Sequence, residues 1–279
     1  ETHLIPSGIF YNVKSIIGPD CVVNIEGFFT EIKYLQEKGF DTTLIKISPK
    51  SHIVTSEHIE EDIKLLTKSQ GTTSRGIAPC YSDKFKRIGC QAKDVPQLKD
   101  FIWDEKLYGN ILCEGAQGFW LDINEGNYPY TTSSTTLPYS CCSLGFPPQK
   151  IRDIYGAVKI YDTRSGIDPL FPETLFDDDE LSEVINVGKE YGVTTGRKRK
   201  VNWLNLDLLV KAITVSGTTH LIISKIDVLE KVGKFKLFFQ EELKIFESID
   251  EMKRFINDTL TKCVYLKKVV YSNNPYQIN

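Results

Sequence analysis

His220-Leu221-Ile222-Ile223-Ser224-Lys225-Ile226-Asp227 is the stretch that decides the fold class. Its apolar middle is short and β-branched, the composition of a buried strand rather than of a helix. The spacing predicts a strand over 220–226 that runs straight into the charged turn Lys225-Ile226-Asp227. Two further runs share this form. Residues 110–113 read as a buried strand entering Glu114-Gly115-Ala116-Gln117-Gly118, and 154–160 as an apolar strand ending at Asp162-Thr163-Arg164. Strands that end on small or polar turns are the ligand-binding signature of α/β sheets, whose sites lie at the carboxyl ends of the strands.

Helical patterns separate these strands. Asn24 can cap a helix in which Phe28, Phe29, Ile32 and Leu35 recur at helical spacing up to Gly39. Residues 57–68 give a second helix, with Ile59, Ile63 and Leu66 facing inward, and 181–191 a third, closed by Gly192. Residues 203–215 predict a helix and 252–260 another, while 42–47, 234–239 and 267–272 read as strands. The opening Glu1-Thr2-His3-Leu4-Ile5-Pro6 is also strand-like. Alternating strands and helices imply an α/β fold, mostly parallel. No internal repeat or low-complexity linker divides the 279 residues, which read as a single domain over 1–279.

Composition excludes several classes. Hydrophobic content is 41% and charged content 25%, ordinary for a globular chain. A net charge of −3 gives no global attraction to nucleic acid or to a membrane surface, and no apolar run is long enough to span a bilayer. Seven scattered cysteines without a Cys-x-x-Cys pair point to reduced thiols and a cytoplasmic setting, not to a zinc site.

The positive charge is local. Thr194-Thr195-Gly196-Arg197-Lys198-Arg199-Lys200 places two hydroxyls and a glycine before four cations. Hydroxyls, exposed N–H groups and planar guanidinium forks suit a dicarboxylate or a phosphate. Gly71-Thr72-Thr73-Ser74-Arg75-Gly76 is a second anion-loop candidate, and Tyr128-Pro129-Tyr130-Thr131-Thr132-Ser133-Ser134 a hydroxyl-rich turn. Gln117 carries an amide able to read a base edge or a ribose. In Lys225-Ile226-Asp227, the carboxylate can accept from guanine N1–H and the 2-amino group while the lysine stem covers the ring. Each motif alone is weak, since surface turns are built from the same residues.

Taken in order, these stretches resemble adenylosuccinate synthetase. Leu4-Ile5-Pro6-Ser7-Gly8-Ile9, Phe171-Pro172-Glu173-Thr174 and the turns quoted above follow the family's sequence of motifs along nearly the whole chain. The resemblance implies a P-loop-NTPase-like α/β fold, a homodimer, and ligation of L-aspartate to IMP with GTP and Mg²⁺. It implies IMP-binding roles for Thr73, Gln117 and Thr132, and for Arg87 reaching across the dimer to the partner's IMP phosphate. Aspartate falls to Thr194, Thr195 and Arg197; GTP to Arg199, Lys225, Asp227, Ser272 and Asn274. The family's glycine-rich phosphate loop, with its catalytic Asp and His and the Mg²⁺ ligands, is not in this sequence and is expected N-terminal to residue 1. A phage-type homologue that joins aspartate to dGMP, or a non-catalytic nucleotide-binding relative, would share the same motifs.

Overall fold

The computed structural model describes residues 2–66, 71–192 and 196–274. They form two compact units, Glu1–Pro148 and Gln149–Asn279.

Unit 1 is built on two pairs of short parallel strands: β1 (Ser15–Ile17) beside β3 (Ile45–Ile47), and β2 (Val22–Asn24) beside β4 (His52–Val54). Helix α1 (Ile25–Glu37) starts where Asn24 accepts a hydrogen bond from the Gly27 N–H at 2.7 Å. Its residues Phe28, Ile32 and Leu35 are buried, one stripe at i, i+4, i+7 that joins Ile17, Ile45 and Ile47 in the core. The chain start is not a strand. Backbone N–H groups of His3, Leu4 and Ile5 all donate to the Glu31 carboxylate, which bends the segment onto α1, and Ser7–Tyr11 coils into a 3₁₀ turn.

Helix α2 (Ser56–Glu61) is shorter than its sequence pattern. It passes into a π turn at Asp62–Leu66, so Ile63 swings out to 54% exposure instead of facing inward, while the Leu66 side chain lies outside the described residues. The cause is Asp62. Its buried carboxylate accepts from Thr72 Oγ1 at 2.6 Å and from the Gly76 N–H at 2.8 Å, turning the chain back towards α3 (Ile77–Lys86). Gly76 is required there: its φ is +72°, and a Cβ would meet the backbone of His58 and Ile59 at 2.9 Å. Residues 110–113 also depart from expectation. They are irregular, with Ile111 at 44% and Leu112 at 87% exposure. A four-residue apolar run has no period of its own and becomes a strand only where another strand can pair with it; among the described residues, none does.

Unit 2 holds a parallel three-stranded sheet, β5 (Tyr155–Lys159), β8 (His220–Ser224) and β11 (Lys268–Tyr271), with β8 central. A second sheet runs β10 (Glu242–Phe246), β9 (Phe235–Phe239), β7 (Lys200–Asn205), β6 (Tyr161–Arg164). Among the described residues five of the seven strand pairs are parallel, as the alternating pattern implies. The basic run enters strand β7 rather than a helix at 203; α5 begins only at Leu206–Ser216, where Asn205 accepts from the Leu208 N–H. Val201, Trp203 and Leu204 of β7 are buried, and even Lys200 is 2% exposed, paired with Glu173 at 2.9 Å. Helix α4 (Asp179–Gly188) stops earlier than its apolar pattern, because Lys189 turns left-handed. Helices α6 (Ile226–Val232) and α7 (Ile249–Leu260) complete the core with Leu229, Met252 and Ile256.

Candidate nucleotide site

In unit 2 the turns after β8 and β11 hold four of the candidate residues. Lys225 adopts a left-handed conformation (φ 66°) between β8 and α6, and its Nζ donates to the Gly188 carbonyl at 2.9 Å. The amine is thus anchored. Asp227 stands in the first turn of α6, where it pairs with the exposed Lys231 at 3.4 Å. Ser272 follows β11: its N–H donates to the Ile223 carbonyl at 2.8 Å and its own carbonyl accepts from Ile226, while Ser272 Oγ donates to the Asn274 carbonyl. Lys225, Asp227, Ser272 and Asn274 therefore share the carboxyl end of the parallel sheet.

Arg199 joins them through Glu190. The Glu190 carboxylate is 2% exposed and receives Lys159 Nζ at 2.6 Å, Tyr161 OH at 2.8 Å and Arg199 Nη1 at 3.1 Å. Burial pushes this carboxyl's pKa up, but the bonds from Lys159, Tyr161 and Arg199 outweigh that and hold it below the usual range. Burial lowers the Lys159 pKa, with Arg199 and Lys225 adding repulsion, even against the pull of Glu190. Gly188 lets the group close up, since a Cβ there would lie 2.5 Å from Tyr161 OH. Arg197 lies on the same hairpin, where its carbonyl accepts from the Gly192 N–H at 2.8 Å. Thr194 and Thr195 lie outside the described residues.

The remaining candidates lie in unit 1. Thr73 is exposed on the loop held by Asp62. Gln117 is exposed in a left-handed conformation (φ 67°), and its turn is tied to the Thr132 loop. Thr136 Oγ1 donates to the Gly118 carbonyl at 3.2 Å and the Thr132 N–H to the Leu121 carbonyl at 2.8 Å. The fully buried Asp122 organises that loop, accepting from Asn124, Glu125, Thr135 and Thr136. Tyr81 on α3 reaches Ser134, so the helix that ends at Arg87 borders the same loop. Arg87 is exposed and left-handed at φ 67°. Among the described non-glycine residues with positive φ, Arg87, Gln117 and Lys225 are site candidates. Such conformations cost free energy and concentrate where function requires them.

Sequence reasoning misses Glu190, Lys159, Asp62 and Asp122. Glu190 falls within the 181–191 helix pattern without a motif of its own, and the other three carry none either. A surface groove lined by Lys93, Val95, Pro96 and Lys99 contains none of the candidates, so concavity alone does not point to the chemistry. Among the described residues no group of three His, Cys, Asp or Glu side chains is placed to hold a metal ion.

An α/β fold with polar, cation-rich turns at the carboxyl ends of parallel strands is that of a ligand-binding α/β protein, with the cations suited to an anionic ligand. Comparison with known proteins narrows the class. The chain matches the adenylosuccinate synthetase family over residues 1–110 and 99–265. It is 35% identical over 297 residues to the adenylosuccinate synthetase of Lysinibacillus sphaericus, spanning 85% of this chain and 68% of that one. The Thermoanaerobacter pseudethanolicus enzyme gives the same identity and coverage. In fold it is similar to fully ligated adenylosuccinate synthetase from Plasmodium falciparum, with a TM-score of 0.79, 24% identity, and 98% and 86% of the two chains covered. It is less similar to the succinoaminodeoxyadenylate synthetase of cyanophage S-2L bound to dGMP and dATP, with a TM-score of 0.65, 17% identity, and 96% and 76% covered. The chain belongs to the adenylosuccinate synthetase family, ligases of purine biosynthesis. No helix among the described residues is long and apolar enough to cross a membrane.

Proposed function

We propose that the protein works in the cytoplasm as a homodimer that joins L-aspartate to IMP at the expense of GTP, with Mg²⁺, by way of a 6-phosphoryl intermediate. The observation that carries the nucleotide half of this reading is the convergence of Arg199, Lys225, Asp227, Ser272 and Asn274 at one sheet end. Asp227 accepts from guanine N1–H and the 2-amino group, and the anchored Lys225 stem lies against the ring. Arg199 faces the phosphates and ribose. Arg197, with Thr194 and Thr195, takes the aspartate carboxylates; Thr73, Gln117 and Thr132 take IMP. Arg87 serves the partner's IMP phosphate. It stands exposed between Phe85 at 75% and Ile88 at 70% exposure, an apolar and basic surface suited to a second copy.

The chemistry needs these side chains for charge. Deprotonated hypoxanthine attacks the γ-phosphate through O6, and the aspartate amine then displaces the phosphate. Both steps gather negative charge among bound oxygens, which guanidinium and N–H donors stabilise. The described residues form no Mg²⁺ site, and no catalytic acid or base is assigned within 1–279. The test is product formation with aspartate and each pairing of IMP or dGMP with GTP or ATP. Product from IMP and GTP supports the reading. Product only from dGMP favours the phage-type reaction, and nucleotide binding without product a non-catalytic relative.

A further inference from the structure

We infer that Glu190 is a positioning residue for the nucleoside triphosphate: it sets Arg199 through two separate handles while leaving the site cationic. This inference rests on Arg199 facing the GTP phosphates and ribose.

The first handle is the main chain. The Arg199 N–H donates to the Glu190 carbonyl at 2.9 Å, and the bridge between Tyr191 and Lys198 continues the pairing. The second is the side chain. Glu190 Oε2 accepts from Arg199 Nη1 at 3.1 Å and from Lys159 Nζ at 2.6 Å, while Oε1 accepts from Tyr161 OH at 2.8 Å. Backbone and carboxylate together fix both ends of the arginine.

Geometry limits what Glu190 takes from Arg199. The contact uses one of five guanidinium N–H donors, through an oxygen already shared with Lys159. A bidentate carboxylate would have occupied a full edge of the fork. Among the described residues none takes the other edge, and the Arg199 side chain remains 30% exposed while Glu190 is 2% exposed. Charge follows the same arrangement. Lys159 and Arg199 contribute two positive charges against one carboxylate, and Lys225 adds a third nearby. Glu190 therefore orients the cations without neutralising the site, as binding of a polyanion requires.

A neutral substitute holds the cations less well. A glutamine loses the charge that attracts Lys159 and Arg199, and with its one oxygen kept on them its amide N–H₂ faces Tyr161, whose hydroxyl must turn from donor to acceptor. Arg199 would lose its lateral hold, although hairpin and core would persist.

The experiment is steady-state kinetics on the intact protein, with GTP and IMP varied in turn, for Glu190→Gln, Tyr161→Phe, Arg199→Leu and the Glu190→Gln/Arg199→Leu pair. Glu190→Gln should raise the KM for GTP by roughly 5- to 20-fold and that for IMP by less than about twofold. In the Arg199→Leu background the same change should matter less than about twofold, because the group it positions is gone. Tyr161→Phe, which removes one hydroxyl, should give a smaller rise in the same parameter. An equal effect of Glu190→Gln in both backgrounds, or equal loss towards GTP and IMP, would make Glu190 a fold residue only and overturn the inference. If Arg199→Leu alone leaves GTP use unchanged, the assignment of Arg199 fails first, and this inference with it.

Discussion

Replacing Asp227 by Asn tests the base pocket most directly. The carboxylate sits in the first turn of α6, 35% exposed, with Lys231 at 3.4 Å as its ion-pair partner. Lys231 is itself 66% exposed, so that pair contributes little and does not compete with a ligand. Guanine would offer two donors, N1–H and the 2-amino group, and each bond to a carboxylate is worth about 1.5–3 kcal/mol. Partial exposure of Asp227 lowers the pair to ~2–4 kcal/mol, or roughly 30- to 1,000-fold in kcat/KM for GTP. An asparagine keeps one acceptor but turns an N–H₂ towards a donor. The loss should therefore approach the upper figure, while the KM for IMP stays within about twofold. Xanthosine triphosphate, which carries an acceptor at C2, should gain on Asp227→Asn what GTP loses. The assay is initial-rate kinetics with GTP, ATP and xanthosine triphosphate for native and variant protein. Equal native activity with ATP and GTP, or an Asp227→Asn enzyme with unchanged GTP kinetics, would refute the pocket.

Three further outcomes are expected. Arg87→Leu should weaken IMP use without altering GTP use, and mixing it with Gln117→Ala should restore activity through heterodimers with one intact site; a lack of recovery in any mixture rules out action in trans. Arg197→Leu should lower kcat/KM for aspartate by roughly 30- to several-thousand-fold, with Arg197→Lys only partly better because a point charge lacks the bidentate fork; unchanged aspartate kinetics would place this loop in solvent. Asp162 has a pKa pushed up to about 7 by burial, against the opposing Asn205 N–H. Its protonated form is favoured in the folded state, so its contribution is complete below about pH 4 and is lost as pH rises to about 7. Because the residue is half-buried, Asp162→Asn should stabilise the protein by about 2 kcal/mol at pH 8 and by little at pH 4 in urea unfolding, and destabilisation at pH 8 would contradict this.

Elements that carry their own cap and period are legible in the sequence alone. Asn24 with Phe28, Ile32 and Leu35 specifies α1 without help from distant residues, and the apolar run before Lys225 specifies β8. The elements that sequence misplaces depend on partners remote along the chain. The 110–113 run has strand composition, but composition does not supply a neighbouring strand. Residues 203–205 are helix-compatible in isolation and end up in β7 because β6 and β9 flank them. The 57–68 pattern is cut short by Asp62, whose carboxylate satisfies a loop ten to fourteen residues away. Tertiary pairing overrides local propensity in each case.

The site divides along the same line. Residues proposed to touch ligand are legible because contact with phosphate, carboxylate or a base edge selects recognisable types in polar turns: Thr73, Gln117, Arg197, Lys225, Asp227. Residues that hold these in place are not, because a supporting side chain is defined by what surrounds it. Glu190 shows why. In sequence it is one glutamate among Lys189, Tyr191 and Gly192, indistinguishable from a solvated helix end. Lys189 turning left-handed ends α4 and aims Glu190 inward, and Lys159, Tyr161 and Arg199 arrive from β5, β6 and the far arm of the hairpin. Separations of 31, 29 and 9 residues leave no local pattern to read. A buried carboxylate costs desolvation that its three convergent donors offset together, so the carboxylate has no value to the site without them. That interdependence makes the cluster invisible to motif reading and makes Glu190, rather than the basic run itself, the residue whose removal most cleanly separates a positioned Arg199 from a merely nearby positive charge.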